Sequence, residues 1–186
     1  MANRFSKYLS TSAGDYRTDR ELQNILRNLN LEIGKINGRT QKGLIRATNQ
    51  IHQETEKGSI KVPVDLGNLR HSFFYVTARG AIGKGGGQSH APEGVAARFV
   101  GPKAGEYAAG HAGLLTESVG KAKSLATMYK GPFVVAGYSA NYALWVHEML
   151  GANFQRKGAG AKWFEIAIKT KQAEILKIIQ STAKIK

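Results

Sequence analysis

A helical period runs through the first third of the chain and narrows the folds open to it. Leu22, Ile25, Leu26, Leu29, Ile33 and Ile36 recur at spacings of three and four residues, which places them on one helix face. The phase continues through Leu44, Ala47, Thr48 and Ile51. The spacing predicts a long helix over 18–57, capped by Thr18 or Asp19 and stopped by Gly58, with Pro63 beyond. Gly38 and Gly43 each weaken a helix interior by up to about 1 kcal/mol relative to Ala, so a bend or break is expected near them. Residues 1–17 read as an exposed arm with Phe5, Tyr8 and Leu9 as isolated anchors.

The pattern changes after residue 60. Pro63 to Arg70 reads as a turn, and Ser72 to Thr77 is aromatic and β-branched, the composition of a strand. In the turn, Asp65 suits an Asx-turn or short cap, Gly67 a positive φ, and Leu69 a place in the core. Phe73, Phe74 and Tyr75 are contiguous, so at least one is expected to face out of the strand, packed under a helix or, as an interface residue, under a neighbouring subunit. Gly80, Gly83, Gly85, Gly86, Gly87 and Gly94 make a flexible loop by composition. Val95 to Gly101 is compatible with a strand. Residues 102–131 are rich in Ala and Gly, with a weak helix expected around Leu114 to Leu125. Pro132 to Gly137 reads as a strand, and Asn141 to Glu148 follows at once. Ala161 to Lys184 reads as a helix with Trp163, Ile166, Ala167, Ile175, Ile178 and Ile179 as its buried stripe. Strands grouped between two helices predict an α+β fold, with the helices packed on an antiparallel sheet.

At 186 residues the chain suits one domain able to bury a core without staples. It has no cysteine, which excludes disulfides, a thiol nucleophile and Cys-ligated metal. No apolar run approaches the roughly 20 residues of a membrane span, and no secretory h-region is visible, so a cytosol-like compartment without membrane contact is expected. The net charge is +14, which favours polyanions or acidic partners. The excess is spread evenly, +4 over 1–60, +5 over 61–131 and +5 over 132–186, whereas a groove binder concentrates it on one element.

Catalytic motifs fail one by one. His147-Glu148 would need a second His at position 151 to hold zinc as a protease does, and Gly151 stands there. The pair reads as structural. Gly83-Lys84-Gly85 lacks the leading Gly and the Ser or Thr of a phosphate loop. No Gly-x-Ser-x-Gly elbow occurs, the other histidines are scattered, and the three Asp residues cannot supply a paired carboxylate site. No enzyme activity, metal or cofactor is expected. Trp145 and Trp163 lie in apolar contexts and read as core or interface anchors.

Three blocks in order carry a resemblance. They are Val62-Pro63-Val64-Asp65-Leu66-Gly67-Asn68-Leu69-Arg70-His71-Ser72, then Tyr142-Ala143-Leu144-Trp145-Val146-His147-Glu148, then Ala161-Lys162-Trp163-Phe164-Glu165-Ile166-Ala167. The combination resembles the minor capsid or tail-completion family of tailed bacteriophages, over about residues 20–80 and 130–185. Leu66 stands where that family usually has Thr, and residues 80–131 read as an insertion into a single domain of 18–186. The resemblance implies a non-enzymatic neck protein without cofactor. Its copies would form a ring, often sixfold, joining the portal, adaptor or head-completion proteins to the tail tube or its terminator. Genomic DNA would pass through the opening. It implies a place in the virion, reached through the host cytoplasm, and structural roles for Pro63, Asp65, Gly67, Leu69, Arg70, Tyr142, Ala143, His147 and Glu148. The rival expectations are a tail terminator capping the tube and a basic nucleic-acid-binding module that stacks bases on Phe73 to Tyr75. A hydrolase using one of the scattered histidines is the remainder.

Overall fold

The structure is a computed structural model that describes residues 16–77 and 99–184, with side chains from residue 20 onward. The arm up to residue 15, the loop from Gly80 to Gly94 and the first part of the Val95–Gly101 segment lie outside the described residues. The elements in order are α1 (Tyr16–Lys57), α2 (Asn68–His71), β1 (Phe73–Thr77), α3 (Ala104–Tyr129), β2 (Val134–Tyr138), α4 (Ala143–Glu148) and α5 (Trp163–Ala183). The packing divides the chain into two units, Met1–Ile36 and Asn37–Lys186.

The first unit contributes the start of α1. This helix begins at Tyr16, so Thr18 and Asp19 fall inside its first turn rather than at its cap. Leu22, Ile25, Leu26, Leu29, Leu31 and Ile33 are all exposed there. The helix carries on through Gly38 and Gly43 without the expected break. Gly43 has a packing reason to be Gly: a Cβ there would meet Ile179 Cα at 3.2 Å and Thr182 Cβ at 3.3 Å.

The second unit is the α+β body, with the later part of α1 and α5 packed on a two-stranded antiparallel sheet. Phe73 pairs with Tyr138, Tyr75 with Ala136 and Thr77 with Val134. Successive side chains leave a strand on opposite faces. Phe73 stacks on His52 of α1 at a ring-centroid distance of 4.1 Å. Phe74 and Val76 pack with Ala122, Leu114, Leu115 and Val119 of α3. Helices therefore cover both faces, and β1 is buried along its whole length. The aromatic that turns to the second face is therefore packed under a helix, one of the two places expected for it. Phe73, Phe74 and Tyr75 are 2%, 4% and 6% exposed, so none presents a ring at the subunit surface for a base or a neighbour.

α3 is a correction as well. The expected weak helix of Leu114 to Leu125 is a 26-residue element from Ala104 to Tyr129, so that stretch covers the sheet rather than forming part of a loop. Phe99 to Gly101 is not a strand. Gln41 Nε2 donates to the Phe133 carbonyl at 3.2 Å, and the Thr55 hydroxyl meets the Tyr138 hydroxyl at 2.8 Å, tying α1 to both ends of β2.

Candidate interaction site

The three motif blocks, far apart in sequence, meet in one cluster. Val62, Leu69, Ala140, Ala143 and Trp163 form its buried centre, with Tyr142, Val146 and Phe164 packed against them. Leu69 fills the core place expected of it, 5% exposed. Gly67 holds φ +89°, the left-handed conformation read from the sequence. Its neighbour His71 closes the turn by donating its N–H to the Gly67 carbonyl at 2.9 Å.

Asp65 does not do what was expected. It is exposed, and no side chain caps α2. Asn68 holds the turn instead: its Nδ2 donates to the Val100 carbonyl at 2.9 Å, and its Oδ1 accepts the Val100 N–H at 2.8 Å. Behind the turn, Arg70 Nε lies 2.6 Å from Glu56 Oε2 at the end of α1. Arg156, which no sequence motif marked, joins the same carboxylate at 3.5 Å. Its Nη1 donates to the Val62 carbonyl at 3.0 Å and its Nη2 to the Glu56 carbonyl at 2.7 Å. Together the two guanidinium groups anchor the Val62–Arg70 segment to α1.

The second block shapes the opposite wall. Ala143 and Val146 face the core, and burial holds the Tyr142 phenol above its ordinary pKa. His147 and Glu148 form the structural pair that was read from the sequence, Nδ1 to Oε1 at 2.9 Å. Glu148 also pairs with Lys162, and Lys162 with its neighbour His147 holds that carboxyl below its usual range. The Lys162 N–H donates to the His147 carbonyl at 2.8 Å, which fastens α4 to the start of α5. Pro63 is buried in the wall formed by the first block.

Between these walls lies a cavity of about 400 Å³. Pro63, Val64, Leu66, Leu69, Val146 and Phe154 give it apolar walls. Tyr107, Tyr142, Asn68, Asn153 and Gln155 supply uncharged polar groups, and Asp65 is the one charged lining residue. A site with that lining suits an uncharged, partly apolar side chain and repels phosphate.

Outward from the same helix, Leu144 is 69% and Trp145 76% exposed, and Met149 and Leu150 directly after it are 51% and 75% exposed. Leu66, lining the cavity, is also exposed. Of the two tryptophans, Trp145 is thus exposed, whereas Trp163 is a core residue. Large apolar side chains grouped on a surface mark interaction sites. The exposed Leu144, Met149 and Leu150 were missed by sequence reasoning. The signal was a run apolar beyond what one core-facing helix stripe uses.

Among the described residues no group of three or more His, Asp or Glu side chains is arranged to hold a metal ion. No described helix is long and apolar enough to cross a membrane. Compared with known protein families, curated proteins and solved structures, the chain matches none.

Proposed function

We propose that this chain is a non-enzymatic structural subunit of a tailed-phage virion. Its copies form a ring at the head–tail neck, between the portal or head-completion proteins and the tail. The observation that carries the reading is the apolar surface of α4 and the residues after it, with Trp145 at 76% exposure and a largely apolar cavity behind. Such a surface is costly to leave in water and gains by covering. The resemblance of the three blocks supplies the setting, and their convergence supports it, because one cluster holds the turn, α4 and α5 as one scaffold for that surface. On this reading a neighbouring protein inserts an apolar or aromatic side chain into the cavity and covers Trp145 and Leu150.

The test is a nonsense mutation in the gene within its phage, with electron microscopy of the lysate. The expected result is filled heads beside complete, unattached tails. Intact virions, or arrest before heads fill, would remove the reading.

A further inference from the structure

We propose that residues 21–36 of α1 form a self-association seam that takes the same segment of a second copy of this chain. The inference uses the helix alone and does not depend on the neck reading. Leu22, Leu26, Leu29, Ile33 and Ile36 follow one another at steps of four, three, four and three. That is the alternation of core positions in a left-handed helix pair. Among the described residues the first four stand exposed, at 41%, 57%, 54% and 46%, and the flanking Ile25 is 61% exposed.

Charge selects the occupant. The chain carries +14, so two copies repel over most of their surfaces. Residues 21–36 hold Glu21, Arg27, Glu32 and Lys35, two of each sign, and are neutral as a segment. Lys35 and Glu32 already pair with each other at 2.6 Å. The positions flanking the seam on one side are Gln23, Asn30 and Asn37, amides that donate and accept equally well and do not repel their own copies. A membrane surface or nucleic acid would call for basic flanks, which this segment lacks. The area also suits a helix partner. Leu22, Ile25, Leu26, Leu29 and Ile33 expose on the order of 500 Å² per copy, and their polar flanks bring this toward the roughly 800 Å² per partner of a standard interface.

The test is the mass of the full chain by light scattering on a sizing column, loaded at about 100 μM because assembly follows mass action. The wild type is expected at twice its 20.2 kDa or a higher multiple. Leu26→Asp with Leu29→Asp is expected to reduce it at least to the next smaller species, with helical circular dichroism retained. Leu26→Ser with Leu29→Ser serves if the Asp pair does not fold. Leu31→Asp is the control, since Leu31 is 55% exposed but lies off the seam, and it is expected to keep the wild-type mass. A wild type that runs as a single chain, a folded seam variant of unchanged mass, or a Leu31→Asp protein that dissociates equally would each overturn the proposal.

Discussion

His52 shows how one side chain can set a pH limit on the fold. It sits 7% exposed in α1, stacked on Phe73. Burial, with the nearby Arg70 charge adding to it, pushes its pKa from 6.5 down to about 4. The unfolded chain takes up the proton below pH 6.5 while the folded chain stays neutral until about pH 4. Stability therefore falls as the pH drops through that window and levels off below it. The expected loss between pH 7 and pH 4 is about 2–3 kcal/mol from this residue. His111, also lowered by burial, adds in the same direction. Urea titrations across that range should show the decline, and His52→Phe should shrink it. The sequence displayed His52 as one of several scattered histidines, because nothing local tells a buried ring from an exposed one. The residues that were legible, Gly67 and Leu69, sit where a local backbone demand and a local turn decide the outcome. Arg156 was not legible, because its acceptors are carbonyls of Glu56 and Val62, about a hundred positions earlier.

Among the elements, glycine has opposite meanings in two helices. In α3, a Cβ on Gly105, Gly110, Gly113 or Gly120 would meet nothing within 4 Å. Gly113→Ala is therefore expected to stabilise the protein by about 0.5–1 kcal/mol, read as a higher midpoint in thermal unfolding. Gly43→Ala in α1 is expected to give no gain or a loss, because its Cβ presses on the α5 backbone at Ile179. The contrast explains which elements the sequence revealed. α1 and α5 announce themselves by apolar spacing. α3 is spaced with Ala and Gly, buries little beyond Ser118 and Ala122, and so has no stripe to read at full length. Reading only the Leu114–Leu125 part of α3 also hid the second covered face of β1, and with it the burial of Phe74.

For the whole molecule, the question is what the outward apolar residues of α4 contribute. Trp145→Ser with Leu150→Ser touches no core residue and is expected to leave stability within about 0.5 kcal/mol. On the proposed function, complementation of the nonsense phage with this variant yields few joined particles, counted by plaque titre and microscopy. Full complementation would show that the α4 surface is not the joint. The α+β class, the long helix and the three-block order could be read from the sequence, since they rest on periodicity and local turns. The cavity could not, because its walls come from residues 63–69, 107, 142, 146 and 153–155, which only the fold brings together. α3 has a consequence for the order of folding. Its four glycines leave it a poor helix alone, about 3–4 kcal/mol short of the same helix with Ala at those positions. Its Ala122 and Leu114 gain their burial against Phe74 and Val76 of the paired strands. It is therefore expected to dock after the strands have paired and packed on α1, leaving Phe74 in water until then, and low φ-values for Leu114→Ala would show it.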